Sequence, residues 1–360
     1  MANLKDVAEL AGVSVMTVSR VLSGKGYVSE EKRLRVMECA QALNYRPNTI
    51  ARSLVLNRTG TVGIPVCHLE NPIYAQYVAS ISETLRRNGM DIILTSAETP
   101  RTWLNAIQTL LSKQVDGLIL ASLQFDGQDD VPMDWAEARA LSIEMLRQSQ
   151  KPYAVICNSE MLHGEEIRIS PDYRLAMYMA ARHLIQMGHR RIGRFCFHTP
   201  WPTRDEGFAQ AMAEANLTLP DRWLFDCDFD GILAARQSAL SWLDRTDELP
   251  TAVCCDNDAY AVALMQALNE RGLRVPEDVS VIGNDGNVYS HCTSPLLTTV
   301  SIRPLEVGRV CAQTLLNLLK TPGQAGREIK VSPEFQPGGT VKRMNMDEPE
   351  RDFPAERDPI

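Results

Sequence analysis

Short apolar segments alternate with amphipathic helical patterns along most of the chain, from Thr61 to Gly283. This alternation is typical of α/β folds, in which helices join the strands of doubly wound parallel sheets. The body from residue 61 to about residue 340 spans about 280 residues, more than one such sheet usually needs, so we predict two similar lobes that divide near residues 158–170. The predicted strands are 61–66, 91–95, 116–122, 153–158, 191–197, 223–227, 251–255 and 279–283. The predicted helices are 74–88, 101–113, 134–148, 173–187, 204–216, 231–243 and 257–271.

The N-terminal region has a different, all-helical pattern. Apolar residues at positions i, i+3, i+4 and i+7 predict a helix over residues 4–11, which Gly12 ends. Ser14 is placed to cap a second helix that runs through Leu22. Two short helices joined by a turn that begins with glycine are the signature of a helix-turn-helix motif. The pattern therefore predicts a DNA-binding headpiece.

In a helix-turn-helix unit the second helix enters the major groove, and its N-terminal side chains reach the base edges. In this chain those side chains are Val15, Met16 and Arg20. Thr17 and Ser19 are expected to contact phosphate or to pack locally.

A third helix is predicted over residues 30–43, with Ser29 as its N-cap and Pro47 preventing its continuation. Residues 48–56 have helical potential but are too few to form a stable helix alone. The predicted domains are a headpiece (1–47), a hinge helix and linker (48–60), a two-lobed body (61–340) and an acidic tail expected to be disordered (341–360).

The charge of the chain is unevenly distributed. The whole chain has 37 basic and 45 acidic residues, a net charge of −8. Residues 1–58 contain nine lysines and arginines and five acids, a net charge of +4, so the rest carries −12. Ordinary solvated charge could produce this difference, but it is also expected when only a small head meets a polyanion.

The headpiece resembles that of LacI/GalR-type bacterial transcription regulators over nearly all of residues 3–58. The matching motifs are LKDVAELAGVS from Leu4, TVSRVL from Thr17, NYRPN from Asn44 and IARSL from Ile50. The resemblance implies that residues 50–56 form a hinge helix, ordered only when it pairs with its dimer mate in the minor groove. It also places Ala51 and Leu54 at the DNA, with Leu54 as an apolar wedge between base pairs.

The body resembles the effector domain of the same family, itself similar to periplasmic sugar-binding proteins, over about residues 61–340. Matching fragments include VDGLI from Val115, GHRRI from Gly188 and GLRVPEDVSVI from Gly272. Ligands of parallel α/β sheets bind beyond the carboxyl ends of the strands, so we expect the effector between the lobes. The resemblance implies that the effector-binding residues are Tyr74, Asp172, Arg204, Phe229, Asn257 and Asp285.

Several of these residues have a structural alternative. Tyr74 and Phe229 could be core aromatics, and Asp172 and Asn257 could be helix N-caps. Three positions also depart from the family pattern: Asn158 stands where an Asp commonly closes a strand, and Asn284 and Gly286 replace an aromatic and a second Asp around Asp285. The ligand is therefore expected to be atypical.

Other classes of protein have little support in the sequence. No apolar stretch is long enough for a membrane span, and Asp6 lies where a signal peptide needs an apolar core, so we expect a cytoplasmic location. The nine cysteines show no C-x-x-C spacing, and the six histidines lack ligand spacing. No nucleophile elbow or phosphate-binding loop is present. We therefore expect no metal, no cofactor and no catalytic activity.

Together these patterns predict a dimeric repressor that binds approximately palindromic operator DNA under the control of a small metabolite, with sugars or sugar derivatives favoured. The C-terminal leucine heptad through which some relatives form tetramers is missing, which favours a homodimer. Two alternatives are a ligand-binding protein of the periplasmic-receptor type and an enzyme on a two-lobed fold. The sequence does not show whether the effector releases DNA or promotes its binding.

Overall fold

The computed structural model describes residues 2–23, 26–45, 58–121, 135–157, 166–198, 202–227, 231–321 and 326–344. The chain divides into two units. The first consists of residues 1–60 with 114–116, and the second of the remainder.

The first unit contains the helices α1 (Leu4–Ala11), α2 (Val15–Ser23) and α3 (Glu30–Ala42). Gly12 ends α1 in the left-handed conformation (φ 64°), which glycine adopts without strain. Ser14 caps α2 as predicted, since its hydroxyl accepts the backbone N–H of Thr17 at 3.1 Å. Ser29 is the N-cap residue of α3 as predicted, although its side chain makes no capping hydrogen bond.

A small apolar core holds the three helices together. Its members are small or β-branched residues spaced to face one another, and all are buried: Val7, Ala8, Ala11, Val18, Val21, Val36 and Ala40. The helical spacing that predicted the motif is therefore the spacing of its core.

The second unit contains two six-stranded sheets, one in each lobe. The strands are β1 (Thr61–Val66), β2 (Asp91–Ser96), β3 (Gly117–Ala121), β4 (Tyr153–Ile156), β5 (Ile167–Pro171), β6 (Ile192–Phe197), β7 (Leu224–Cys227), β8 (Ala252–Cys255), β9 (Ser280–Asp285), β10 (Thr298–Ser301), β11 (Arg327–Val331) and β12 (Glu334–Gln336). The first lobe has the order β11-β5-β4-β3-β1-β2, and all its strands are parallel. The second lobe has the order β12-β10-β9-β8-β6-β7, with only β12 antiparallel. The predicted α/β class with two parallel sheets is confirmed.

Helices connect these strands. In the described part of the body they are α4 (Pro72–Arg87), α5 (Pro100–Ser112), α6 (Trp135–Ser149), α7 (Tyr173–Gln186), α8 (Pro202–Glu214), α9 (Gly231–Arg245), α10 (Asp258–Glu270) and α11 (Pro304–Lys320). Two short 3₁₀ turns, Asp221–Trp223 and Val288–His291, complete the connections.

In the part of the body that the structure describes, the chain passes between the lobes at residues 171–173, 301–304 and 331–334. The predicted division near residues 158–170 is therefore wrong, because β5 still belongs to the first lobe. Helix α11 and strand β11 return to the first lobe after β10, and α11 packs beside α4. Alternating patterns give the order of elements along the chain but not their order in a sheet, so this return was not visible in the sequence.

His189 is fully buried in the second lobe. Its Nδ1 lies 2.9 Å from Thr251 Oγ1, and its Nε2 lies 3.1 Å from the carbonyl oxygen of Lys342. Burial lowers the pKa of His189 from 6.5 to about 4. The neutral imidazole thus ties the segment near residue 342 to the lobe.

We expect the His189→Gln variant to lose less stability than the wild type at acid pH. Below a pH of about 6.5 the unfolded chain takes up a proton at His189, whereas the folded protein does so only near pH 4. Falling pH therefore lowers the free energy of unfolding across this window, by about 3 kcal/mol at most. Urea unfolding at several pH values measures the difference between the two proteins. His291→Gln, at an exposed histidine, is the control, and parallel losses in wild type and His189→Gln would refute the assignment.

Candidate functional site

Helix α2 of the headpiece has one buried and one exposed face. Val18 and Val21 are buried, whereas Val15 is 41% and Met16 is 64% exposed, and Arg20 is also exposed. The three side chains predicted to read bases therefore lie on the surface. Single exposed apolar residues are common at protein surfaces. Base contact by these side chains therefore stays a prediction.

Thr17 is placed differently from its three neighbours. It is half-buried, and its Oγ1 lies 2.9 Å from Ser14 Oγ in the first turn of α2. This contact is local to the start of the helix, and the contact of Thr17 with phosphate stays a prediction. Ala51 and Leu54, the two predicted hinge contacts, lie outside the described residues.

In the second lobe, three neighbouring strands end at one edge of the sheet. Strand β6 ends at Phe197, β8 is followed directly by Asp256, and β9 ends at Asp285. Because parallel strands present their carboxyl ends together, these residues meet the first turns of α7 and α8, which contribute Tyr173 and Arg204.

Arg204 lies at the centre of this group and is only 3% exposed. Its guanidinium carbon lies 4.3 Å from the ring centroid of Tyr173 and 5.4 Å from that of Phe197. Its Nη1 donates to the carbonyl oxygen of Asp256, and its Nη2 lies 3.7 Å from Asp285 Oδ1. Such stacking and pairing hold the planar guanidinium in one orientation.

Asp285 has an unusual backbone conformation, with φ at 125°, outside the regions that L-residues commonly adopt. Strain of this kind persists where the surrounding structure enforces it, and it is frequent at ligand sites. Burial raises the pKa of Asp285 well above its ordinary value; nearby Arg204 lowers that pKa, while Asp258 and Asp256 raise it further.

Asp258, which the sequence analysis missed, is fully buried beside Asp285. Its carboxylate accepts the hydroxyl of Thr299 at 2.6 Å and the backbone N–H of Asn287 at 2.9 Å. Burial raises the pKa of Asp258 to about 7, against the opposing effect of these hydrogen bonds. The sequence does contain a signal for Asp258, because it is a carboxylate directly after the predicted N-cap Asn257. Only the N-cap was used in the sequence analysis.

Two tyrosines connect the lobes at this site. Tyr77 lies on α4 of the first lobe and Tyr173 on α7 of the second, and the two phenols lie close enough for each to affect the pKa of the other. Both are buried, and burial raises the pKa of each phenol. Tyr74 is half-buried and meets Tyr77 edge to face, with the ring centroids 6.1 Å apart. Tyr74 thus packs on the aromatic pair, which is the structural role considered for it.

Asp172 and Asn257 act as helix N-caps. Asp172 Oδ1 accepts the N–H of Leu175 at 3.0 Å at the start of α7, and Asn257 Oδ1 accepts that of Tyr260 at 2.7 Å at the start of α10. Their contact with a ligand stays a prediction. Phe229 and Asn158 lie outside the described residues.

The two other departures from the family pattern flank Asp285. Asn284 is fully buried, and its Nδ2 lies 3.2 Å from Met177 Sδ on α7. Gly286 has a φ of 66°, and a Cβ there would lie 2.3 Å from Ser301 Cβ. A side chain at position 286 is therefore excluded by the packing of the 301–304 crossover.

Among the described residues no cluster of three or more His, Cys, Asp or Glu side chains is arranged to hold a metal ion. Within the same ranges, no helix combines the length and apolar character that crossing a membrane requires.

Comparison with known proteins agrees with both units. Residues 3–48 match the family model for bacterial regulatory proteins of the lacI family, and residues 181–341 match that for periplasmic binding protein-like domains. The ribose operon repressor of Haemophilus influenzae is 33% identical over 340 residues, 92% of this chain and 96% of its own. The HTH-type transcriptional repressor PurR of Vibrio vulnificus is 34% identical over 367 residues, 96% of this chain and 100% of its own.

A crystal structure of the lac repressor dimer bound to operator and the anti-inducer ONPF has a similar fold. Its TM-score is 0.78 at 24% identity, over 95% of this chain and 99% of that one. The fold and the two sites define a transcription regulator with a helix-turn-helix headpiece and a two-lobed effector domain. The chain belongs to the lacI family of bacterial regulatory proteins.

Proposed function

We propose that this protein is a homodimeric repressor whose affinity for an approximately palindromic operator is set by a small metabolite bound between the two lobes. The observation that carries the proposal is the arrangement of Arg204 between the Tyr173 ring and Asp285, at the carboxyl ends of three parallel strands. The similar chains are named as repressors, which favours repression over activation. The lac repressor structure contains a dimer, an operator and a small molecule together, which supports the same three components here.

The chemistry of the site suits a polyol or a polar heterocycle. Carboxylates accept hydrogen bonds from hydroxyl groups, an arginine donates two in parallel, and aromatic rings cover the apolar face of a sugar or base. Arg204, Asp285 and Tyr173 supply one group of each kind. We propose a sugar or sugar derivative as the effector, bound and released without chemical change.

Arg204 and Asp285 are nearly fully buried, so an effector reaches them when the lobes separate. Separation moves the phenol of Tyr77 away from that of Tyr173 and bends the chain at the crossovers. A changed arrangement of the first lobes in the dimer then decides whether two hinge segments, residues 48–56, pair in the minor groove. This is allostery through a segment that orders only when paired.

A thermal-shift screen of the purified full-length protein against sugars, sugar phosphates, sugar acids and nucleobases tests the effector site. A compound that binds only the folded state raises the melting temperature. We expect at least one such compound, and we expect it to change the affinity for DNA. A decrease in that affinity identifies an inducer, and an increase identifies a corepressor. A protein that no compound stabilises but that still binds DNA specifically would contradict effector control.

Exchange of the two apolar side chains at the start of α2 should change operator preference. Val15 and Met16 cannot donate hydrogen bonds, so their base contacts would be apolar, as with thymine methyl groups. We expect the double variant Val15→Thr, Met16→Gln to lose about 10-fold or more on the preferred operator, since each mismatched base pair in a site costs about 1–3 kcal/mol. Affinity for random-sequence DNA should change little, because phosphate contacts dominate it.

Competition binding of preferred and random duplexes measures this ratio. Leu10→Gln, at an exposed apolar residue of α1, is the matched control. An equal loss on both duplexes in the double variant would show that α2 does not read bases through these residues.

A further inference from the structure

A second buried arginine, Arg194, shares the partner Asp256 with Arg204; it lies in the middle of β6 and is 5% exposed. Its Nη2 lies 2.7 Å from Asp205 Oδ1 on α8 and 3.0 Å from Asp256 Oδ1 after β8. Its Nε also donates to Asp256 Oδ1, at 3.3 Å. The Arg194 side chain thus connects β6 with the end of the neighbouring strand β8 and with the first turn of α8.

These contacts fix Arg204 from two directions. Asp205 is the next residue along α8, so its ion pair with Arg194 holds the turn that carries Arg204. Asp256 supplies the carbonyl oxygen to which Arg204 donates, and Arg194 holds that residue by its carboxylate. The other carboxylate oxygen of Asp256 accepts the backbone N–H of Phe197, whose ring faces Arg204.

The charges explain why the arrangement needs two arginines. Asp256, Asp258 and Asp285 are three buried carboxylates within one small region. Without Arg194, the carboxylate of Asp256 would be buried with no cationic partner, which is strongly unfavourable. Arg204 already donates to the carbonyl oxygen of Asp256, and a turn of its guanidinium toward the carboxylate of that residue would take it away from Asp285.

We propose that Arg194 is a positioning residue of the effector site: by neutralising Asp256 and anchoring Asp205, it keeps Arg204 directed at Asp285. The role deepens the proposed function, because an effector that needs Arg204 in this place also needs Arg194. Arg194 itself acts through Arg204.

A test that requires no effector follows the carboxyl groups directly. The side-chain carboxyls of aspartate are labelled with ¹³C in the full-length protein, and the coupled titration of Asp258 and Asp285 is followed by NMR, with Asp258→Asn and Asp285→Asn spectra for assignment. In Arg194→Met we expect the apparent midpoints of the pair to rise by about one pH unit or more, because a cation within a few ångströms lowers a carboxyl pKa by about 1–3 units. Arg191→Met is the matched control, since Arg191 precedes β6 and pairs with Glu248.

A rescue variant separates positioning from general destabilisation. In Arg194→Met, Asp256→Asn the carboxylate that attracts Arg204 is gone, while the carbonyl oxygen at residue 256 remains. We expect its titration midpoints to match those of the single variant Asp256→Asn, because both variants lack the carboxylate at residue 256, which itself raises the pKa of Asp285. Where Arg194→Met does not fold, Arg194→Lys replaces it, with a smaller rise expected.

A folded Arg194 variant with unchanged titration, or an equal shift in Arg191→Met, would overturn the proposal. These outcomes are distinct from a failure of the proposed function, which would appear as the absence of effector or operator binding with the titration shift still present.

Discussion

Replacement of Arg204 by methionine should remove the response to effector while basal binding to operator DNA remains. Methionine fills much of the same volume beside the Tyr173 ring but cannot donate to a ligand or pair with Asp285. A hydrogen bond to a charged group contributes about 1.5–3 kcal/mol, so we expect effector affinity to fall by about 10- to 100-fold. The headpiece is a separate unit, so its binding to DNA without effector should be unchanged.

The measurement is operator binding by fluorescence anisotropy, with and without a compound that stabilises the wild type. Arg222→Met is the matched control, since Arg222 also lies over an aromatic ring, 5.0 Å from the Trp223 centroid, and is paired with Glu248. A full response in Arg204→Met would show that the effector binds elsewhere.

Replacement of Arg20 by alanine should abolish specific operator binding and leave effector binding intact. Arg20 is exposed on α2, and an arginine that contacts a base contributes about 1–3 kcal/mol of discrimination. A dimer contains two copies, so the expected loss is about 2–6 kcal/mol, or from about 30-fold to about 25,000-fold in affinity. Effector binding, measured by thermal shift, should equal that of the wild type.

Arg33→Ala separates loss of a base contact from loss of charge. Arg33 lies on α3 of the same headpiece, so its removal lowers the charge of the unit equally. We expect Arg33→Ala to weaken binding to operator and random DNA by similar factors, whereas Arg20→Ala should affect operator far more. Equal selectivity in the two variants would contradict the role of Arg20.

Local signals in the sequence were sufficient for the headpiece. The helical spacing of Val7, Ala8 and Ala11, the glycine at position 12 and the serine at position 14 each act within a few residues, and the structure has α1, α2 and the Ser14 cap where they predict them. The alternation of strands and helices likewise predicted two parallel sheets, because the spacing of apolar residues in each strand or helix is a local property of that element.

The site itself depended on contacts that no local pattern contains. Arg204 and Asp285 were identified through the family resemblance, and the structure brings them together. Arg194 and Asp256 were missed, because a buried charge is recognisable only when its partner is known, and Asp258 was missed because only the N-cap beside it was recognised. Arg194 and Asp256 are 62 residues apart in sequence, yet Arg194 Nη2 lies 3.0 Å from Asp256 Oδ1. The return of β11 to the first lobe was not predicted either, because it depends on pairing with β5, which is far away in sequence.

The most direct test of the account is selection of binding sites by the purified protein from a library of random duplex DNA, read by sequencing. Regulation of transcription requires that the headpiece recognise a sequence, and a dimer of headpieces requires two copies of it in inverted orientation. We predict enrichment of one approximately palindromic site with two half-sites, and loss of that enrichment in Arg20→Ala. If the DNA library stays random after repeated selection with the wild-type protein, the central claim that this chain is a sequence-specific regulator is contradicted.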